Sequence, residues 1–291
     1  MKVISEIVGG LGNQMFCYAA AYAYSKRNNC TLELDLSFYD GGALYDRDYV
    51  LNVFHVKEKN HIKTLAKFKL LRHIRYIFCR FIGSDNCIIE KNSHLLDERL
   101  FLSNATVDKM LYGYWQNEKY FLEFKKEILD IFRFRGFSDF PEKNNKLLEE
   151  IRLSNSVCIH YRSYSEVKNR GVQVDDTSVS MLYYISAIQK ISASNNDLTY
   201  FLFGDSNSDE IQALLDGENV VNVELNQRKG SEVNDLFLMS ECKHIVLANS
   251  SFSWWAGWLS KSDDIYFPVR NNLIYYPTPA KSWELLEWSR N

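Results

Sequence analysis

A histidine and an arginine that follow an apolar run, His160 and Arg162, have the clearest chemical potential in the sequence. An arginine presents a planar fork of N–H donors that matches a phosphate or pyrophosphate, and it stays charged at every relevant pH. A histidine can donate to a phosphate or a ribose, or carry a proton. The pair therefore indicates an anion-binding strand end, although an Arg162 held in a surface ion pair would fit the same pattern.

A second polar block, Ala248–Trp255, also follows an apolar run and enters a predicted helix. The first N–H groups of a helix have no partner inside the helix, so they can bind an anion together with nearby hydroxyl groups. Capping alone requires one such side chain, and this block has more, followed by two tryptophans. The excess predicts an anion site that uses Asn249, Ser250, Ser251 and Ser253.

A third apolar run ends in the aspartate of Phe203-Gly204-Asp205. Its carboxylate can accept hydrogen bonds from the N1–H and amine of a guanine, or from ribose hydroxyls. Asp is also a common N-cap, and a helix is predicted to follow residue 207. Both interpretations of Asp205 stay open at the level of the sequence.

The N-terminal glycines Gly9, Gly10 and Gly12 lie between a predicted strand at 2–8 and a predicted helix at 13–27. Glycine permits positive φ and a close approach of the backbone to a ligand. The spacing differs from the dinucleotide fingerprint G-x-G-x-x-G, and no Gly-Lys-Ser/Thr follows, as it would in a phosphate-binding P-loop. The turn is equally consistent with a structural role and with a ligand-facing one.

No metal site and no cofactor are expected. The sequence has no D-x-D in a plausible loop, no H-E-x-x-H and no Cys/His ligand spacing. Asp175-Asp176 and Asp263-Asp264 are adjacent acids in predicted loops and are interpreted as solvated. Arginine and helix N-termini would then neutralise a leaving diphosphate. The formal net charge of −3 gives no reason to expect nucleic acid as a partner.

Cysteine usage and hydropathy favour a cytoplasmic protein. None of the six cysteines stands in a C-x-x-C pair and several lie inside apolar runs, so reduced, buried thiols are expected. The first residues contain too short an apolar run for a signal peptide, and no stretch reaches about 18 uninterrupted apolar residues. Export and membrane spanning are therefore not expected.

Residues 57–81 carry eight Lys and Arg side chains and one acid, with apolar residues between them. A basic amphipathic helix can lie on an anionic membrane surface, which would place the protein peripherally on the inner membrane face. A solvated helix that covers a domain fits the same pattern.

Strands and helices are predicted to alternate in two series, which is typical of parallel α/β sheets. The first begins with a βαβ unit over residues 2–36, and its middle is interpreted as helical, including 112–132. A polar stretch at 133–146 separates the series. We therefore expect an N-terminal lobe of residues 1–140 and a C-terminal lobe of residues 141–291, with a site in the cleft between them. The predicted strands of the second series are 156–161, 198–205, 219–225, 244–249 and 264–268, and its helices lie near 180–192, 208–216 and 232–240.

Two stretches together resemble the bacterial and animal α-1,2-fucosyltransferases, which use GDP-fucose: GGLGNQMFCYAAAYAYSKR from Gly9 and LMSECKHIVLANSSFSWWAGWL from Leu238. The resemblance runs from about residue 3 to about residue 270. It implies a GT-B type fold of two Rossmann-like lobes, with the donor bound mainly by the C-terminal lobe. The implied reaction is a metal-independent, inverting transfer of L-fucose to a hydroxyl, O2 of a galactose, on a surface polysaccharide or a lipid-linked oligosaccharide.

The resemblance also implies roles for single residues. Arg162 would hold the donor β-phosphate with His160 beside it, and Asp205 would recognise guanine or ribose. Asn249, Ser250, Ser251 and Ser253 would line the diphosphate. Gly10, Gly12, Asn13 and Gln14 would form the facing N-terminal wall of the cleft, with the acceptor on that side.

One loop departs from the family pattern His-x-Arg-Arg-x-Asp, because the chain has Ser163 and Ser165 where the second Arg and the Asp would stand. An inverting transfer needs a base for the acceptor hydroxyl. Glu166 is the first candidate for that catalytic role, and Asp175 and Asp176 are its rivals. The altered loop also leaves open a different nucleotide-sugar donor, or a glycan- or nucleotide-binding protein without catalysis.

Overall fold

The chain divides into two compact units, Met1–Arg135 and Gly136–Asn291. Each contains its own parallel sheet with helices packed on it. The computed structural model describes residues 1–39, 48–56, 86–91, 95–102, 106–134, 140–162, 179–204, 209–224, 226, 231–269 and 277–287.

The N-terminal unit combines a small parallel sheet with one long helix. Its described elements in chain order are β1 (Lys2–Glu6), α1 (Leu11–Arg27), β2 (Thr31–Asp35), β3 (Cys87–Ile89), β4 (Lys109–Tyr112) and α2 (Lys125–Ile131), with short 3-10 turns at Leu51–Val53, Glu98–Phe101, Glu118–Tyr120 and Leu122–Phe124. The strands pair in the order β2-β1-β4-β3, and these pairings are all parallel. Helix α1 is the crossover that parallel neighbours such as β1 and β2 require.

Helix α1 lies close to the sheet because many of its side chains are small. Most of its 17 residues are buried, including the run Ala19-Ala20-Ala21, which is typical of a core helix. Lys26 and Arg27 occupy its last turn, where cations interact favourably with the helix dipole. The helix begins directly after Gly9 and Gly10, so the polar residues of its first turn stand at the carboxyl end of β1.

The C-terminal unit has a six-stranded parallel sheet. Its described elements in chain order are α3 (Glu142–Leu153), β5 (Asn155–Tyr161), α4 (Met181–Ser194), β6 (Leu198–Gly204), α5 (Asp209–Leu214), β7 (Asn219–Asn222), α6 (Glu232–Ser240), β8 (His244–Val246), α7 (Ser251–Leu259), β9 (Asp264–Val269) and β10 (Glu284–Glu287). The strand order is β10-β9-β8-β5-β6-β7, which is the doubly wound order of a Rossmann fold.

Strand β5 lies at the centre of this sheet and is buried along almost its whole length, as expected for a strand covered on both faces. Alternate side chains point to opposite faces. Val157 and Ile159 pack with the tyrosines of α4. Cys158 and His160 therefore face the opposite layer, which contains α6 and α7.

The predicted strands of the second series are all present, with ends shifted by a few residues. The prediction that the middle of the first series is helical is wrong in part, because β3 and β4 are strands. Within the block 112–132, the regular α-helix is confined to α2. Helix α3 and strand β10 were not predicted. Helix α3 has a polar sequence and buries a narrow stripe that includes Leu147 and Ile151, so its composition resembles a loop.

The expectation that every cysteine is a free thiol is wrong for Cys87, which is disulfide-bonded. Cysteine pairing depends on the distance between Cα atoms in the fold, which sequence spacing does not give. Free thiols are described at Cys17, Cys30, Cys158 and Cys242.

The basic stretch 57–81 lies outside the described residues, so its predicted membrane contact stays a prediction. Among the helices of the part that is described, none combines the length and the hydropathy that a membrane span requires.

Candidate functional site

The C-terminal sheet has a topological switch point between β5 and β8. From β5 the chain continues to β6 and β7 on one side, and β8 then returns to the other side of β5. The connections on the two sides leave in opposite directions, which opens a crevice outside the carboxyl ends of the two strands, where doubly wound folds bind ligands. His160 and Arg162 lie at the end of β5, and Asn249 and Ser250 follow β8. The fold thus brings two of the predicted clusters to one edge.

The histidine at this edge is fixed on both sides. Its backbone carbonyl accepts a hydrogen bond from the Tyr184 hydroxyl at 3.1 Å, and its ring centroid lies 5.8 Å from that of Phe252 on α7. His160 itself is buried, whereas Arg162, two residues further, is partly exposed at the end of the strand. The arginine is thus the member of the pair that reaches towards solvent.

Gly204 at the end of β6 is required by the close approach of β5. It pairs with Tyr161 in the parallel register and has a φ of +89°. A Cβ at this position would lie 2.3 Å from the Tyr161 carbonyl oxygen and 3.2 Å from Nε2 of His160. Only glycine therefore permits this packing against the His160 strand end.

Two of the predicted serines serve the start of helix α7. Ser250 is the N-cap, and its hydroxyl accepts from the Ser253 N–H at 3.0 Å. The Ser253 hydroxyl is fully buried and accepts from the Ala248 N–H at 2.9 Å. These bonds shape the turn from β8 into α7.

The remaining polar groups of this turn are suited to an anion. Ser251 is partly exposed and starts the helix. The N–H groups of Ser251 and Phe252 belong to the first turn, for which the described residues supply no intrahelical acceptor. The positive end of the helix dipole adds to their attraction for a phosphate.

The tryptophans of this block are core residues. Trp254 and Trp255 are completely buried, and Trp254 stacks on Trp258 with ring centroids 6.1 Å apart. The indole N–H of Trp254 donates to the Thr278 carbonyl at 2.8 Å. They anchor α7 on the sheet and do not form a sugar-facing surface.

A half-buried carboxylate that the sequence analysis missed, Asp235, stands in the first turn of α6. Helix α6 leads into β8, so it runs antiparallel to the strands and its N-terminus lies at the carboxyl edge of the sheet. Asp235 accepts a hydrogen bond from the Asn226 side chain, which in turn accepts from Asn144 at 2.8 Å. Its negative charge acts on Cys158 of β5, so it lies on the same face of the sheet as His160.

Burial raises the pKa of Asp235 to about 6; the Asn226 hydrogen bond opposes this shift and nearby Glu232 adds to it. A carboxylate held at such a cost in desolvation is often functional. The signal in the sequence was an acid on the otherwise apolar stretch DLFLM, next to one of the two resemblance blocks.

In the N-terminal unit, the predicted residue Gln14 has its amide committed within the protein. It is buried, donates to the carbonyls of Gly9 at 3.0 Å and Asp48 at 2.8 Å, and accepts from the Val50 N–H at 2.9 Å. Asn13 is partly exposed and accepts from the Gln116 side chain at 2.7 Å. Gly10 is the N-cap residue of α1 and Gly12 lies buried in its first turn.

Asp205, Glu166, Asp175 and Asp176 lie outside the described residues, so their predicted roles stay predictions. Asp264 pairs with His244 at 2.6 Å, at the amino end of the strands and so opposite the switch point. Within the described part of the chain, no group of three or more His, Cys, Asp or Glu side chains could hold a metal ion.

Comparison with known proteins identifies a family whose model matches almost the full chain. The model of glycosyl transferase family 11 matches residues 3–288. An α-1,2-colitosyltransferase of Escherichia coli is 33% identical over 274 residues, which cover 90% of this chain and 88% of the relative. The O-antigen biosynthesis glycosyltransferase WbnK of Escherichia coli is 28% identical over 284 residues, covering 89% of this chain and 91% of the relative.

Solved structures with a similar fold include NodZ alpha-1,6-fucosyltransferase soaked with GDP-fucose, with a TM-score of 0.51 and 16% identity. Fucosyltransferase NodZ from Bradyrhizobium has a TM-score of 0.50 and 19% identity. Each alignment covers 89% of this chain and 92% of the other. Together with the two parallel α/β units, this likeness confirms the predicted GT-B type fold.

Proposed function

The chain belongs to glycosyl transferase family 11, and from that premise we propose that it transfers L-fucose from GDP-fucose to a hydroxyl of a glycan, O2 of a galactose. The enzyme is a glycosyltransferase. The proposed transfer inverts the anomeric configuration and uses no metal ion.

The observation that carries this proposal is the switch point between β5 and β8. One edge of one sheet presents a partly exposed arginine, Arg162, and the first turn of α7 with its Ser251 and Phe252 N–H groups. An arginine fork and a helix N-terminus are two of the groups that stabilise a leaving diphosphate when no divalent ion does so. We assign them to the diphosphate of the donor, with Asn249 beside them.

A guanine would be recognised by a carboxylate, because its N1–H and exocyclic amine are both donors. Asp205 is the residue that the family resemblance implies for this contact. Asp235 is a half-buried carboxylate at the same edge of the sheet. Variants of both residues, compared for GDP and for a pyrimidine nucleotide, would separate base recognition from structural support.

The donor sugar has a second candidate, because one relative is named an α-1,2-colitosyltransferase. Colitose is L-fucose without its 3-hydroxyl, so a single hydroxyl separates the two donors. A site that hydrogen-bonds this hydroxyl rejects a substrate that lacks it by far more than an apolar site rejects an extra hydroxyl. The ratio of kcat/KM for the two GDP-sugars therefore identifies the natural donor.

The proposed acceptor is a galactose on an O-antigen unit or a related lipid-linked oligosaccharide, in keeping with the O-antigen relative. A lipid-linked acceptor would also give a role to the basic stretch 57–81 at an anionic membrane. Flotation of the protein with anionic and with neutral vesicles tests that contact. Binding to neither would remove the membrane from the account.

The proposed catalytic base is Glu166, with Asp175 and Asp176 as rivals, because deprotonation of the acceptor hydroxyl needs a nearby carboxylate. Replacing each by its amide should leave GDP binding unchanged in all three proteins and abolish turnover in one. Retention of turnover in all three would remove this loop from catalysis.

A nucleotide panel followed by a turnover assay tests the whole proposal. Thermal stability should rise with GDP and not with UDP or ADP, since bound ligand stabilises the folded state. GDP-fucose and a galactoside should give product with the wild-type protein in the presence of EDTA, and none with Arg162→Ala. Stabilisation by UDP alone would exclude a GDP-sugar donor, and loss of turnover with EDTA would exclude the metal-free reaction.

A further inference from the structure

The carboxyl edge of the N-terminal sheet brings together the loops that follow β1 and β4. The strand order β2-β1-β4-β3 places β1 and β4 side by side, with β2 outside one and β3 outside the other. The loop Gly9–Gly10 follows β1, and residues 113–116 follow β4. Open α/β sheets bind ligands outside the carboxyl ends of their strands, which makes this edge a candidate site as well.

Side chains from three strand ends meet at this edge. The Gln116 amide donates to Oδ1 of Asn13 at 2.7 Å, which joins the two loops. Glu90, directly after β3, accepts from the Tyr114 N–H at 2.8 Å and from the Trp115 N–H at 3.3 Å. Burial raises the pKa of Glu90, while these backbone bonds lower it.

The backbone after β4 is tightly constrained around the carboxylate. A Cβ on Gly113 would lie 2.5 Å from the Glu90 Cβ, and Trp115 has a φ of +56°, which is rare for a bulky residue. The ring of Trp115 is completely buried, and its indole N–H has no acceptor in the described part of the chain. The Cε2 atom bonded to that nitrogen lies 2.9 Å from the same Gly113 Cβ position. A donor that lacks a partner thus lies beside Glu90.

An aromatic ring at the same place faces solvent. Tyr114 is 42% exposed, although its neighbours in sequence are largely buried. Tyr114 follows β4 closely, so it lies at the carboxyl edge of the sheet and not on a remote surface. At the same edge, the Tyr39 hydroxyl donates to the Gly9 carbonyl at 2.9 Å.

These groups have the chemistry of a neutral pyranose site. A flat aromatic ring packs on the apolar C–H face of a sugar, and carboxylate and amide groups bind its hydroxyls. Residues 9–13 and 113–116 include no Lys or Arg, whereas a phosphate site would need a cationic side chain.

We propose that Glu90 and Tyr114, together with the joined amides of Asn13 and Gln116, bind the acceptor galactoside. Tyr114 stacks on the sugar face, and Glu90 accepts hydrogen bonds from two sugar hydroxyls while it keeps its backbone bonds. This inference rests on the proposed function, and it names Glu90 and Tyr114 as acceptor-binding residues of the N-terminal unit.

The test is a comparison of Michaelis constants in the full-length protein with GDP-fucose and methyl β-galactoside. Tyr114→Ala keeps the backbone N–H that holds Glu90, so the loop is expected to stay folded. The acceptor KM should rise about tenfold in this variant, as the loss of one stacking partner predicts, with the donor KM unchanged. Tyr114→Phe, which keeps the ring, should retain the wild-type acceptor KM. Glu90→Gln should raise the acceptor KM as well.

The matched control is Leu122→Ala, because Leu122 has a similar exposure of 43% in the same unit. It should change neither constant. Saturation-transfer NMR with methyl β-galactoside, recorded without donor, should show a clearly weaker signal with Tyr114→Ala than with the wild-type protein at the same ligand concentration. An acceptor KM unchanged in both Tyr114→Ala and Glu90→Gln would overturn the inference, as would equal rises in both substrate constants. Failure of the proposed function would show separately, as no transfer by the wild-type protein from either GDP-sugar.

Discussion

Replacing Asp235 by asparagine should stabilise the C-terminal unit at neutral pH while it weakens donor binding. Asparagine has the same shape, and its carbonyl can still accept from Asn226. The change removes the negative charge of a half-buried carboxyl group, whose pKa desolvation raises from 3.8 to about 6. The loss of stability begins near pH 4, where the unfolded protein ionises, and is complete above about pH 6, where the folded protein is ionised as well.

The magnitude follows from the shift in pKa. A difference of about two units at about 1.4 kcal/mol per unit corresponds to roughly 3 kcal/mol at most. The lost charge-assisted hydrogen bond reduces this, so we expect a gain of about 1–3 kcal/mol at pH 7.5. Below pH 4 both the folded and the unfolded protein carry the proton and the gain should vanish, because a raised acid pKa lowers stability only as pH rises from about 4 to about 6.

Urea denaturation of wild type and Asp235→Asn at pH 4.5, 6.0 and 7.5 measures this dependence, with calorimetric titration of GDP on the same proteins. Asp209→Asn, an exposed acid in the first turn of α5, is the control and should change stability by less than about 0.5 kcal/mol at each pH. A gain of equal size at pH 4.5 and 7.5, or a loss at pH 7.5, would refute the electrostatic reasoning. Unchanged GDP affinity would leave Asp235 a structural residue.

Five further substitutions test the strand ends and loops. Gly204→Ala should destabilise the protein by about 3 kcal/mol or more, because the added Cβ would lie 2.3 Å from the Tyr161 carbonyl oxygen. Gly217→Ala is the matched control: its φ is +83°, but no atom lies within 4 Å of the added Cβ, so the change should cost only about 1 kcal/mol. Ser250→Ala should lose about 1 kcal/mol with its N-cap, whereas Ser251→Ala should keep the stability and weaken GDP binding, as seen by thermal denaturation and calorimetry. Gln14→Ala should cost about 1–3 kcal/mol, because it leaves the N–H of the buried Val50 unpaired and removes a donor from the Gly9 and Asp48 carbonyls, of which the Gly9 carbonyl keeps the Tyr39 hydroxyl. A urea midpoint that stayed within error would contradict this.

The strands that carry the donor-side residues could be predicted because they are buried on both faces. The runs that became β5 and β8 have apolar centres, Val157–Ile159 and Ile245–Ala248, followed by polar residues, so their type and their carboxyl ends follow from hydropathy. Once both are strands of one parallel sheet, His160 and Asn249 must share an edge. The short strands β3 and β10 have three and four residues, which is too little periodicity to recognise.

The roles of individual polar residues were harder to predict, because burial and hydrogen bonding are tertiary properties. Ser250 and Ser251 are the same residue type in adjacent positions, yet one caps α7 and the other faces outward. Asp235 is one acid among many until the packing of α6 buries it. Glu90 and Tyr114 belong to no recognisable motif, and they come together only because β3 and β4 pair.

The most direct test of the account is the structure of the product formed from GDP-fucose and methyl β-galactoside, determined by NMR. The account predicts one disaccharide, with fucose on O2 of the galactose and an anomeric configuration opposite to that of the donor. Free fucose and GDP as the sole products, or a disaccharide that retains the donor configuration, would contradict it.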